Sequence, residues 1–148
     1  MNILYSGDAN ITDGVLMSVL SLMKHTKEPL HVYLLTAKLH WGDRHREPIP
    51  TAFAEFLDGL LRQTNPESSV SLTDLTELFT RELPLANIET RFTPCCMLRL
   101  FADRVEDLPD RLLYLDNDVL CRGDLAPFYE QSMEGYEIAG VLDYYGMR

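Results

Sequence analysis

The residues best suited to chemistry are Asp116 and Asp118, which interrupt the stretch Arg111-Leu112-Leu113-Tyr114-Leu115-Asp116-Asn117-Asp118-Val119-Leu120. Leu112 to Leu115 reads as a strand buried on both faces, as in the middle of a parallel sheet. Ligands of such sheets gather at the carboxyl ends of the strands, which is where the two acids sit. In a locally extended chain, side chains two residues apart point to the same side. Two carboxylates there can share one hard divalent cation, Mn²⁺ or Mg²⁺, and that cation can hold a diphosphate. Acidic residues also end strands simply because strand ends meet water. Here the chain returns at once to apolar residues, which pins the pair between buried segments, and a cation relieves the repulsion between the two charges.

The surrounding elements have to hold that pair. The chain has 148 residues, of which 46% are hydrophobic, enough for one globular domain with a core. Twenty-three acidic and 13 basic residues give a net charge of −10. That argues against nucleic acid or an anionic bilayer as the main partner, and it means that a phosphorylated ligand needs a cation between itself and the protein. The three cysteines, Cys95, Cys96 and Cys121, show no zinc spacing and no secreted pattern. They are expected to be free thiols in a reducing, cytoplasmic setting. Met1 to Tyr5 is too quickly interrupted by Ser6-Gly7-Asp8 for a signal peptide, and no run reaches the length of a membrane span.

Asn2 to Ser6 reads as a first strand, Gly7 to Asn10 as a turn, and Ile11 to His25 as a helix. Its apolar face comprises Val15, Leu16, Val19, Leu20, Leu22 and Met23, and Asn10 with Asp13 resembles a cap. Leu30 to Thr36 is the second strand and Ala37 to Pro50 a polar loop. Thr51 to Gln63 is a helix that packs Phe53, Phe56, Leu57, Leu60 and Leu61. Ser69 to Leu72 is a short strand, Asp74 to Glu82 a short helix and Leu83 to Glu89 a loop. A helix opens at Thr93-Pro94 and runs to Asp103. After the acidic pair come one helical turn, Leu125 to Tyr129, and a last strand, Glu137 to Leu142. Alternating strands and helices predict an α/β domain with a mainly parallel sheet flanked by helices and right-handed crossovers.

Asn2-Ile3-Leu4-Tyr5-Ser6-Gly7-Asp8-Ala9-Asn10, an arginine-bearing helix, and Leu113-Tyr114-Leu115-Asp116-Asn117-Asp118-Val119-Leu120 together resemble glycosyltransferase family eight. That group includes bacterial lipopolysaccharide galactosyl- and glucosyltransferases and glycogenin. The resemblance covers nearly the whole chain. It implies the GT-A nucleotide-diphospho-sugar transferase fold, in one nucleotide-sugar-binding domain over residues 1–148. Asp116 and Asp118 are then the ligands of Mn²⁺ or Mg²⁺, which bridges the diphosphate of UDP-glucose or UDP-galactose. Tyr5, Ser6, Gly7, Asp8 and Asn10 are expected to receive uracil and ribose, together with Asn117 on the acidic stretch. Arg99 is expected near the donor sugar. The implied reaction is transfer of a hexose, with retention, to a saccharide or glycolipid acceptor in lipopolysaccharide biosynthesis.

The family's catalytic domain is longer than this chain. A histidine that completes the metal shell, an Asn-Ala-Gly-like stretch and the acceptor pocket are not found after Asp118, and the four histidines lie at His25, His31, His40 and His45. The chain is therefore expected to be the donor-binding half of a longer enzyme, incomplete at its C-terminal end and inclined to self-associate.

For several residues a plainer role stands beside the functional one. Asp8 also suits a turn, Asn10 a helix cap, and Arg99 an i,i+4 pair with Asp103. Arg91 also suits a solvated charge and Asp143 a cap. Two other functions stay open. One is a haloacid-dehalogenase-type phosphatase with Asp116 as nucleophile, which the absence of lysine after Lys38 disfavours. The other is a non-catalytic nucleotide-sugar-binding fragment.

Overall fold

The computed structural model describes residues 1–41, 43–82 and 94–140. The elements in order are β1 (Asn2–Gly7), a 3₁₀ turn (Ala9–Ile11), α1 (Thr12–His25), β2 (His31–Thr36), β3 (Leu39–Trp41), β4 (Arg44–Arg46), α2 (Thr51–Thr64), β5 (Ser69–Asp74), α3 (Thr76–Arg81), a 3₁₀ helix (Pro94–Arg104), β6 (Leu113–Tyr114) and α4 (Ala126–Tyr129).

The main sheet has the order β5-β2-β1-β6 and is parallel throughout, as the α/β expectation required. Ile3-Leu4-Tyr5 and Val32-Tyr33-Leu34-Leu35 are unbroken apolar runs because both faces of the sheet are covered. On one face Ile3, Tyr5, Val32 and Leu34 pack against Val15, Val19 and Leu22 of α1 and Leu57 and Leu61 of α2. On the other, Leu4 and Leu35 meet Phe79 of α3 and Cys95 and Leu98 of the 3₁₀ helix. There the Phe79 ring stands edge-on to Phe101 at 5.2 Å, a favoured aromatic geometry.

Several expectations need correction. The stretch from Ala37 to Pro50 contains an antiparallel hairpin, with Leu39 opposite Arg46 and His40 opposite His45. The helix after Pro94 is of 3₁₀ type over all eleven residues. β5 runs on to Asp74. Leu20 and Phe56, both expected on packed faces, are exposed. β6 lies beside β1 at the edge of the described sheet, not in its middle, and pairs through two residues, Ile3↔Leu113 and Leu4↔Tyr114. Leu112 to Leu115 are accordingly half-buried. Residues 137–140 form no strand, and Ile138 is exposed. The rest of that segment with Asp143, the loop from Leu83 to Glu89, Arg91 and Thr93 lie outside the described residues. Cys95, Cys96 and Cys121 are free thiols.

Candidate functional site

β1 and β6 end side by side, and their carboxyl ends border a cavity of about 300 Å³, at the low end of small-molecule pockets. Ser6, Gly7, Asp8 and Asn10 line it from the β1 side. Tyr114, Asp116 and Asn117 line it from the β6 side. Strand alternation explains who faces it: Leu4 and Ser6 point to the face that carries the 3₁₀ helix, whereas Ile3 and Tyr5 point to α1. Tyr5, expected to receive the nucleotide, is therefore a core residue. It is fully buried, and its hydroxyl bonds Ser18 Oγ at 2.7 Å.

Asp8 is buried. Its Oδ1 accepts both the Asn10 backbone N–H and the Asn10 side-chain amide, each at 2.8 Å. Asp8, not Asn10, thus caps the 3₁₀ turn that leads into α1, and the first α1 turn has no side-chain cap. The other carboxylate oxygen faces Arg46 Nε at 3.5 Å. Arg46 comes from the hairpin that sequence pattern alone did not show. The segment that follows the hairpin is tied to the sheet: Thr36 Oγ1 donates to Gly7 O and accepts from Ile49 N–H, both at 2.8 Å. The Ala9 N–H also donates to Glu47 O at 2.8 Å. The buried Cys95 thiol sits beside Asp8. Burial first, and then the Asp8 carboxylate, push its pKa up to about 12, so it is an inert wall group.

At the other end, Leu115 N–H donates to Leu4 O, and Val119 N–H closes a turn onto Asp116 O, both at 3.1 Å. The acidic pair therefore lies in a turn, not on extended chain. Asp116 borders the cavity, but Asp118, which is exposed, does not. Asp116 Oδ1 accepts from Tyr114 Oη at 2.8 Å and from the Arg99 guanidinium at 3.2 Å. Arg99 also donates to Tyr114 Oη at 2.9 Å, with its guanidinium 4.9 Å from the centre of the Tyr114 ring. Burial, followed by the Asp116 carboxylate, raises the Tyr114 pKa, so this hydroxyl stays protonated as a donor at neutral pH. Arg99 pairs with Asp116 and not, as the helical alternative had it, with Asp103, which pairs with Arg104. The Arg99–Asp116 pair is exposed and adds little stability. Its effect is to aim the carboxylate.

α1 buttresses this turn. A Cβ on Gly14 would stand 2.6 Å from both the side-chain nitrogen and the carbonyl oxygen of Asn117, so only glycine admits the turn this close to the helix. Further on, Cys121 N–H donates to Ser21 Oγ at 2.9 Å. Sequence pattern did not reveal Gly14, Arg46 or Tyr114. A signal existed for Tyr114, which precedes Asp116 by two positions.

Asp116 and Asp118 are hard oxygen donors, and among the described residues no cluster of three or more metal-binding side chains occurs. Of the two only Asp116 borders the cavity, and one carboxylate fits a Mg²⁺-like ion, which takes one or two from the protein and the rest from ligand phosphates and water. No helix among the described residues is long and apolar enough to cross a membrane.

The chain is 28% identical over 145 residues to lipopolysaccharide 1,2-glucosyltransferase of Escherichia coli (strain K12), an alignment covering 97% of this chain and 38% of that protein. It is 45% identical over 47 residues to glycosyltransferase GlyF of Streptococcus pneumoniae serotype 4 (strain ATCC BAA-334 / TIGR4), covering 32% of this chain and 12% of that one. The chain thus spans well under half the length of either relative. The family model for glycosyl transferase family 8 matches residues 2–147, and with a parallel sheet of the expected kind beneath the site, the chain belongs to that family.

Proposed function

We propose that this chain forms the donor-binding side of a hexosyltransferase that moves glucose or galactose from a UDP-sugar to a saccharide or glycolipid acceptor. The observation that carries the proposal is the single cavity that joins buried Asp8, at the end of β1, to Asp116, at the end of β6. A base and ribose would lie toward Ser6, Gly7, Asp8 and Asn10, and the diphosphate toward Asn117 and the acidic turn. Asp116 and Asp118 would hold Mn²⁺ or Mg²⁺, which when bound supplies positive charge to a leaving diphosphate. Arg99, fixed by Tyr114 and Asp116, would put a further positive charge beside the donor sugar. No described residue is placed as a covalent nucleophile. Membership of a transferase family disfavours a phosphatase role for Asp116.

The test is calorimetry of UDP, UDP-glucose and UDP-galactose in Mn²⁺ and in EDTA, beside a transfer assay with radiolabelled donors. Binding of the uridine ligands that collapses in EDTA is expected. Equal affinity in both buffers would remove the cation from the proposal, and no binding in either would remove the donor. The non-catalytic alternative predicts metal-dependent binding with no transfer to any acceptor by the longer protein.

A further inference from the structure

Among the described residues, two buried side-chain polar atoms have no partner in hydrogen-bonding geometry: Ser6 Oγ and Arg46 Nε. Both residues line the cavity, next to Asp8. Buried polar groups are almost always paired; Ser6 Oγ has the Tyr114 hydroxyl close by, so Arg46 is the group on this wall that points to a ligand. The Arg46 Nε stands 3.5 Å from Asp8 Oδ2, while the other Asp8 oxygen already accepts twice from Asn10. The wall therefore presents one acceptor and one donor side by side.

We infer that Arg46 is a base-reading residue, forming with Asp8 a donor–acceptor pair that matches the imide edge of uracil. The inference rests on the nucleotide-sugar reading above and extends it to a hairpin residue. The uracil N3–H would donate to Asp8 Oδ2, and the neighbouring O4 would accept from Arg46. Cytosine reverses both signs. Its N3 lone pair would face a carboxylate and its amino group a guanidinium, leaving two buried groups unsatisfied. Adenine reverses them too. Guanine carries the matching edge, so the pair sorts uracil and guanine from cytosine and adenine.

The experiment titrates the chain, in Mn²⁺, with UDP, with CDP and with UDP methylated at N3. Wild type is compared with Arg46→Met, which keeps the stem and removes the donors, and with Arg46→Lys, which keeps the charge and loses the fork. CDP carries the same diphosphate, so any general loss of positive field cancels in the ratio. Wild type is expected to prefer UDP to both other ligands by about tenfold or more, the usual worth of a hydrogen bond to a charged group. Arg46→Met should lower UDP affinity and leave CDP no weaker, so that the UDP-to-CDP ratio shrinks while Asp8 keeps part of the preference, with Arg46→Lys in between. An equal loss for UDP and CDP, or no loss for either, overturns the inference. If Arg46→Met fails to fold by circular dichroism, Arg46→Lys decides, and an unchanged UDP-to-CDP ratio there overturns it as well. Wild-type binding of UDP and CDP with equal affinity removes base reading while sparing the nucleotide-sugar reading. Binding of neither removes both.

Discussion

Asp8 and Asp116 line one cavity, yet the Asp8 side chain is 5% exposed and the Asp116 side chain 61%. Asp8 follows a strand paired to β2 over six positions and is backed by the segment of the β3–β4 hairpin. Asp116 follows a strand paired over two positions, and its turn rests on Gly14. A buried carboxylate must have every neighbour chosen for it, because an unmatched partner there costs full desolvation. Such a group discriminates. An exposed carboxylate keeps its water and can exchange it for a cation, so it captures charge without reading shape. On the proposed reading, the two ends would divide recognition from capture.

The largest test of that division lies at the exposed end. Asp116→Ala and Asp118→Ala should each lower UDP affinity in Mn²⁺ by at least about a hundredfold, the upper range for losing even a supporting metal partner. Affinity in EDTA should hardly move. A variant that keeps the full gain from Mn²⁺ would show that the acidic turn does not hold the cation.

Gly14→Ala sharpens the comparison without touching a ligand. The new methyl would drive Asn117 and the turn away from α1, and a misplacement near 1 Å can cost up to about a hundredfold. The expected result is roughly a tenfold loss confined to the Mn²⁺-dependent part of binding. The thermal midpoint should change little, since alanine regains about 1 kcal/mol of helix propensity. An equal loss in EDTA would mean that the helix supports both ends alike.

The smallest expected effect is at the buried end. The folded Cys95 pKa, about 12, lies above the ordinary thiol value of 9.0. The neutral thiol's contribution to stability is therefore whole below pH 9 and is lost as pH rises toward 12. At pH 8, iodoacetamide should label Cys95 in the native chain at least about tenfold more slowly than in urea. Equal rates, read by mass spectrometry, would mean that the wall beside Asp8 is open.

Much of the scaffold could be read because its apolar runs are long. Ile3 to Tyr5 and Val32 to Leu35 admit no other account than a strand covered on both faces, and the α1 and α2 stripes follow. The hairpin escaped because its cross-strand pairs, His40 with His45 and Leu39 with Arg46, carry no apolar alternation. β6 was placed too deep because four apolar residues in a row do not reveal how few of them pair. Of the expected site residues, Ser6, Gly7, Asp8, Asn10, Asp116 and Asn117 meet at the cavity, and Arg99 reaches Asp116. Tyr5 does not, and alternation from Ile3 already placed it among the helices. Asp118 lies off the cavity because the chain turns after Asp116, which an extended spacing rule does not anticipate.

The attachment of the acidic turn also orders events in time. β1, α1, β2, α2 and β5 are neighbours in sequence as well as in space. The bond from Cys121 to Ser21 instead spans 100 positions, and the pairing of Leu113 with Ile3 reaches equally far. Distant partners meet late, since closing a long loop costs entropy before any contact repays it. The wall that holds Asp8 should therefore assemble first, and the acidic turn should dock onto a finished surface. In pulsed hydrogen exchange during refolding, the Leu34 amide should gain protection before those of Leu115 and Cys121. Simultaneous protection would mean that the two ends are born in one cooperative step, and that capture has no history separate from recognition.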